Sequence, residues 1–410
     1  MAVAAGAATL ILRPRSGLIE PAAVEASAYF SAEQLDAARD FRGLQRALGL
    51  AEIGLSAAAL ALLALWPPRP VRAAFEWAGR RPLLGAAAAG ATISLALTVV
   101  TLPLGLWRHE RAVDVGLSTQ DLGAWLADVA RAGGIGALFA GVGATLAIAL
   151  IRRFPRHWWA PGAVCVVAIG VVLVYLSPIV LDPLFNRFTP LPRGELRSEV
   201  LALADRAGVE VGEVYRVDAS RRTTGANAYV GGLGHTKRVV LYDNLIEDYP
   251  RPEVTSVVAH ELAHVKHRDV LRGLAWLALV APAALWLVAL LTERIAARGA
   301  RAGGAGAGVA AAANGRAGPG LLPALALSLA LVSLAVESAG NVLSRRVEAR
   351  ADAFALELTR DPQAFIALER RLAVTNISEP DPPALYHDVF GTHPTTLERL
   401  GYGVSYERER

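Results

Sequence analysis

The strongest constraint on this chain is a succession of apolar stretches, each close to 20 residues long, at 49–66, 83–106, 133–151, 161–181, 271–291 and 321–343. About 20 apolar residues in a helix cross the hydrocarbon core of a bilayer. Within lipid the backbone must satisfy its own polar groups, and a single apolar segment does that only as a helix. Six membrane-spanning helices are therefore expected. Trp66, Trp107, Trp158 and Trp159 sit at the ends of these stretches, where amphipathic rings favour the lipid interface. With 54% hydrophobic and 19% charged residues, the chain is far from the profile of a soluble domain.

The remaining composition narrows the chemistry. Cys165 is the only cysteine and lies in an apolar run, so neither a disulfide framework nor a cysteine-ligated metal site is available. Any metal must be held by histidine and carboxylate. The basic residues are nearly all arginine and cluster between apolar stretches, a pattern of membrane-surface loops rather than of a nucleic-acid groove, so no nucleic-acid partner is expected and lipids are.

Residues 1–12 are apolar but too short to span, and read as a surface or re-entrant piece. Residues 31–48 open on Ser31 and read as a charged helix. The block 182–256 is polar: a helix ending at Gly208, strands in "VEVGEVYRVD" and "TKRVVLYDNLI", and between them "NAYVGGLGH" as a strand with a Gly-rich turn. Segment 296–320, rich in Gly, Ala and Arg, reads as a flexible loop. Ser94, Thr98 and Thr101 share one face of the second span, and Glu52 with Ser56 one face of the first; such residues are expected to bond neighbouring helices. His109, His157 and His235 are read as loop residues.

The organisation expected is an N-terminal segment 1–48, a four-helix membrane region 49–181, a catalytic unit 182–270, two more membrane helices over 271–343, and a C-terminal catalytic segment 344–410. An even number of spans puts the N-terminus, 182–270 and the C-terminus on one side of the cell membrane. Arginine clusters in nearly every loop hardly decide the orientation; the side with most polar sequence is assigned to the cytoplasm.

Into this apolar background the stretch "VVAHELAHVKH" sets His260, Glu261, His264 and His267. Pro252 and Glu253 mark a helix start upstream. On a helix, residues four apart share a face, so His260 and His264 can reach one metal ion while Glu261 stands beside the open coordination position. His267 falls one turn on and is read as a neighbour or surface residue rather than a ligand. A catalytic zinc site needs a third protein ligand. Glu337, Asn341, Arg345, Glu348 and Asp352 line one helical face running out of the last span, and a polar stripe in a membrane is costly unless it faces a partner or water. Glu348 is the best candidate; Glu293 and Glu357 belong to no such stripe and are weaker. Asp352, one turn beyond, could accept the outer N–H of a metal-bound histidine.

Together with "NVLSRRVEARADAFAL", "NAYVGGLGHTKRVVLYDNLI" and "DPLFNRFTPLP", the histidine motif resembles the type I CAAX prenyl endopeptidases, a family of integral-membrane zinc metalloproteases. The resemblance covers roughly residues 30–402. It implies His260, His264 and Glu348 as ligands of one Zn2+, Glu261 as catalytic base, and a chamber enclosed by membrane helices. It further implies that Asn227 and Ala228 lie along the substrate backbone and that His393 and Arg399, in "HPTTLER", stand near the scissile carbonyl. Eukaryotic members usually have seven spans, and residues 2–12 stand where the first would lie. The fold class expected is a mainly α, polytopic membrane protein of about six transmembrane helices with a small α/β zinc-metalloprotease, gluzincin-like domain.

The function expected is a zinc metalloendopeptidase acting on a peptide or protein substrate that can carry a lipid, as in cleavage of the C-terminal CAAX motif of prenylated proteins. The rival is a membrane quality-control protease acting on unprenylated proteins. A bias to Arg, Ala and Gly with only Lys237 and Lys266 as lysines fits a high-GC bacterial source, where prenylated substrates are not expected. A binding-only transporter or scaffold would have no use for Glu261.

Overall fold

The structure, a computed structural model, describes residues 1–231, 237–301 and 317–409. Six helical segments among them are long and apolar enough to cross a membrane: Ala32–Leu65, Pro82–Asp114, Leu122–Arg153, Trp159–Phe185, Asp269–Arg301 and Pro319–Thr359. The charged stretch 31–48 and the apolar stretch 49–66 form one continuous helix, because nothing between them breaks it and Ser31 caps its start. The Ser31 hydroxyl accepts from the Gln34 N–H and the Gln34 side chain accepts from the Ser31 N–H, a reciprocal arrangement worth about 1 kcal/mol.

The helices are labelled in chain order: α1 (Ala2–Leu12), α2 (Ala32–Leu65), α3 (Arg69–Ala78), α4 (Pro82–Asp114), α5 (Leu122–Arg153), α6 (Trp159–Leu176), α7 (Asp182–Phe185), α8 (Glu195–Ala207), α9 (Asp243–Asp248), α10 (Arg251–Lys266), α11 (Asp269–Arg301), α12 (Leu322–Thr359), α13 (Pro362–Thr375), α14 (Ala384–Phe390) and α15 (Thr396–Arg408). A π-helical turn at Ser177–Leu181 joins α6 to α7. The short apolar α1 packs on α11 and α12, and the buried Trp276 indole N–H donates to Thr9 at 3.0 Å.

Side chains such as Val99, Leu138, Val164 and Val172 are exposed on the helical bundle, as lipid-facing residues are. Helices α4 and α5 approach closely because small residues meet there: a Cβ on Gly90 would lie 2.6 Å from the Ala140 carbonyl oxygen. Such close backbone approach supplies packing where no hydrophobic drive exists between helices. Arg108 of α4 donates to Glu52 at 3.0 Å and to Gln45 at 2.9 Å, both on α2, so Glu52 does bond a neighbouring helix. Thr98 and Thr101 instead donate to carbonyls of their own helix, Ser94 O and Leu97 O. A hydroxyl that reaches back one turn satisfies itself without a neighbour.

Segment 296–320 is helical up to Arg301, and its middle, residues 302–316, lies outside the described residues, as does His235. His109, on α4, is buried and stacked on Trp125 with centroids 5.0 Å apart, rather than in a loop.

The polar block builds a four-stranded sheet in the order β1-β2-β4-β3, with β1 at Phe188–Pro190, β2 at Glu213–Val217, β3 at Ala228–Gly231 and β4 at Arg238–Tyr242. β2 and β4 are parallel; β3 is antiparallel to β4 and, among the described residues, pairs with no other strand. Val214, Val239, Leu241, Leu245, Val258 and Leu262 form a fully buried core between sheet and helices. Each such side chain contributes about 1.5–3 kcal/mol on burial, and together they fix α10 against the sheet.

Helix α12 links membrane and catalytic core. Its 38 residues make a rod of about 57 Å, which begins among the membrane helices and ends packed on α10.

Candidate active site and metal centre

α10 buries Val254, Val257, Val258, Leu262 and Ala263, which fixes the orientation of the helix and turns His260 and His264 towards α12. The two imidazole Nε2 atoms lie 3.3 Å apart. Glu348 brings Oε2 to 3.1 Å from His260 Nε2 and Oε1 to 3.6 Å from His264 Nε2. Ligands about 2.0–2.1 Å from a tetrahedral ion stand about 3.3 Å from one another. Three edges of 3.1, 3.3 and 3.6 Å therefore fit one small ion, and among the described residues this is the group of three candidate ligands found so disposed. Glu293 and Glu357 are not part of it.

The outer imidazole nitrogens are also held. His260 Nδ1 lies 2.7 Å from Asp352 Oδ1, and Asp352 is fully buried. His264 Nδ1 lies 3.1 Å from Asp269 Oδ2. A hydrogen bond from Nδ1–H fixes the tautomer that leaves Nε2 free to ligate. Asp269 can fold back because Arg268 adopts a left-handed φ of 56° between α10 and α11, an uncommon conformation for a residue with a side chain.

Glu261 points beside the cluster. Burial pushes its carboxyl above the usual carboxylate range, against the pull of His260 and His264, and the Val230 backbone N–H bonds to it. That contact orients β3. The Tyr242 N–H donates to Asn227 O, so in the antiparallel ladder residues 227, 229 and 231 face β4 while Ala228 and Val230 turn their backbone groups to the free edge. The edge of β3 away from β4, which pairs with no strand among the described residues, thus lies next to Glu261. The Asn227 carbonyl belongs to the ladder, and its side chain accepts the Ala228 N–H at 2.8 Å.

His393 stands across the cluster with Nε2 at 3.4 Å from Glu348 Oε2, its side chain 56% exposed. Arg399 is elsewhere: its guanidinium donates to Asp352 at 2.8 and 2.5 Å and pairs with Glu369 at 2.7 Å. The structure brings Arg399 behind the histidine rather than over the ligands. His267 is turned away, edge-on to the Phe354 ring at 5.7 Å.

Residues 190–402, more than half the chain, match the family model for Peptidase family M48. The chain belongs to peptidase family M48. Residues 21–187 match the family described as CAAX prenyl protease N-terminal, five membrane helices, a region that here holds four of the six candidate spans. The "Uncharacterized metalloprotease YhfN" of Bacillus subtilis is 33% identical over 77% of this chain and 72% of its own length. The "CAAX prenyl protease 1" of Saccharomyces cerevisiae is 31% identical over 41% of this chain and 37% of its own. The crystal structure of S. mikatae Ste24p superposes with a TM-score of 0.76 over 98% of this chain and 96% of that one, at 20% identity, a likeness of fold. The protein is a multi-span membrane metalloendopeptidase of the CAAX prenyl protease family, and membership implies a metal.

For this M48 peptidase, sequence reasoning missed Asp269, Arg350, Arg272 and Glu369. Arg350 donates to Asp269 at 2.5 Å and Arg272 pairs with the same carboxylate, so two guanidiniums hold the acid that orients His264. Asp269 carried a signal, an acid at the start of the next helix five residues after His264. Glu369 carried none, as one acid in an ordinary amphipathic helix.

Proposed function

We propose that this M48 peptidase is a zinc-dependent endopeptidase of the cell membrane, its site on the cytoplasmic side, that hydrolyses an extended peptide laid along the free edge of β3. The carrying observation is the juxtaposition of the ligand triangle of His260, His264 and Glu348 with Glu261 and that unpaired edge. Two imidazoles and one carboxylate are a donor set suited to zinc with a position left open. One zinc ion bound there supplies an acidified water and a positive charge for the reacting carbonyl.

The chain's own residues do the rest. The Ala228 carbonyl accepts a substrate N–H, and the Asn227 side chain releases the Ala228 N–H that it now holds to complete the pairing, so the substrate adds as a strand whose register is fixed against the cluster. Glu261 takes the proton of the attacking water and passes it to the leaving amine, and its raised carboxyl suits holding that proton between the two steps. His393 donates to the developing oxyanion. Arg399 acts through Asp352 on His260 and touches no substrate.

The substrate proposed is a peptide or protein with a lipidated C-terminus, following the relatives named CAAX prenyl protease 1. The test is cleavage of a farnesylated CAAX peptide and its unmodified twin by the purified protein, with Glu261→Gln as control. Cleavage of the farnesylated peptide alone supports the full reading, and preference for the unmodified twin replaces the substrate with unprenylated chains. Turnover by Glu261→Gln would sink the mechanism.

A further inference from the structure

We infer that Arg345 and Asn341 on α12 are positioning residues for His393, pinning the loop that carries it at a fixed offset from Glu348. The inference rests on the reading that His393 acts on the scissile carbonyl.

Residues 376–395 cross from α13 to α15 as a strap with α14 at its centre. A helix end leaves its last carbonyls without partners, and α12 supplies donors to those of α14. Asn341 Nδ2 donates to Val389 O at 2.8 Å. Arg345 donates through Nη1 to Gly391 O at 2.7 Å and to His387 O at 3.2 Å. A guanidinium at a helix C-terminus also complements the negative end of its dipole. On the other side α2 holds the strap: Arg42 donates to Ile377 O at 2.8 Å, and Arg46 pairs with Glu379 and lies over the Tyr386 ring.

His393 follows directly. The His387 ring N–H donates to His393 O at 2.9 Å, and Thr392 Oγ1 lies 2.8 Å from His393 Nδ1. Gly391 is required between them, since a Cβ there would come within 2.4 Å of the His387 ring. The side chain is more than half exposed and otherwise meets Glu348. Its place is therefore set by where the end of α14 sits. Arg345 precedes Glu348 by one turn of the same helix, so one rigid rod carries both a candidate ligand and the pin of the residue opposite. A misplacement of roughly 1 Å at a reacting group can cost on the order of 100-fold in rate, so anchoring His393 and Glu348 to the same helix guards the separation on which the reaction depends. This accounts for Asn341 and Arg345 in the polar stripe, which the ligand set alone leaves unused.

The test uses the full-length protein in detergent, an internally quenched peptide in whichever form, farnesylated or unmodified, the parent protein cleaves, and metal content measured on each variant. Arg345→Ala is expected to lower kcat at least about tenfold while KM stays within about twofold, as for a contact that matters only in the transition state. Metal content stays at the wild-type level. Arg345→Lys, which keeps a donor, recovers part of the loss. Arg345→Ala in a His393→Ala background is expected to cost no more than about twofold further, since residues acting through one group are non-additive. Should Arg345→Ala fail to fold, Asn341→Ala and Gly391→Ala are measured against the same background and decide in its place. Full kcat in these variants with a crippled His393→Ala overturns the pinning alone. Full activity in His393→Ala overturns both the pinning and the role of His393. Additive losses, or losses that follow metal content, also overturn it.

Discussion

Asp269 Oδ2 and His264 Nδ1 meet at 3.1 Å across the left-handed turn that separates α10 from α11, so the membrane helix itself contributes the acid that orients one histidine. Asp352, on another membrane-derived helix, does the same for His260 at 2.7 Å. Both imidazoles are thereby referenced to helices that span the bilayer, and the metal site cannot shift without moving them. Removing such an outer carboxylate typically weakens metal affinity by about 10–100-fold. Asp352→Ala and Asp269→Ala are each expected to fall in that range when apo protein is titrated with zinc against a competing chelator. Unchanged affinity in both would show that the histidines need no orienting acid.

Metal removal gives a second expectation. A ligand that binds only the folded state stabilises it by RT ln(1 + [L]/Kd), about 2.7 kcal/mol at a hundredfold excess over Kd. Chelation should abolish peptide cleavage and lower the detergent melting temperature, and zinc should restore both. His264→Ala should melt at the same temperature with and without zinc. A zinc-dependent rise in that variant would place the stabilising site elsewhere.

The spans were legible because hydrocarbon thickness fixes their length, and the histidine pair because helix periodicity puts i and i+4 on one face. Glu348 and Asp352 were legible as part of a stripe that no membrane helix would carry idly. Asp269 was legible only in part: Arg272 lies i+3 along its own helix, but Arg350 reaches it from α12, and Glu369 was not legible at all, since its partner Arg399 comes from α15, a helix that meets α13 only in the fold. Arg399 shows the limit of a family pattern read in one dimension: its position in "HPTTLER" suggests proximity to substrate, yet Asp352 and Glu369 take its guanidinium. The unpaired edge of β3 needed the ladder register, which sequence alternation over four residues does not set.

Close packing of α4 on α5 makes a third expectation. A Cβ on Gly90 meets Ala140 O and the Ala144 methyl at 2.6 Å, whereas a Cβ on Gly143 meets nothing within 4 Å. Both lie in the interior of long helices, so the intrinsic propensity change on going to Val is alike. Gly90→Val should therefore lower the melting temperature well below that of Gly143→Val. Equal melting temperatures would mean that the two helices do not pack through this contact.

Glu369 supplies the pH dependence. Its carboxyl is pushed up to about 7 by burial, with Arg399 drawing it down and Asp352 raising it further. Two buried acids share one guanidinium, and Asp352 takes two of its donors, so Glu369 is the one that holds a proton more readily. An unfolded glutamate titrates near 4.3. Between about 4.3 and 7 the folded state holds a proton that the unfolded state has lost, so stability falls as pH rises through that window and levels off above it. Glu369→Gln keeps a neutral group of the same shape beside Arg399 and removes the titration. The drop in melting temperature from pH 5 to pH 8 should accordingly be smaller in Glu369→Gln than in the parent protein, with the difference building up to about pH 7 and constant above it. Parallel curves across that range would mean that Glu369 is ionised throughout and that Arg399 serves both acids as charges.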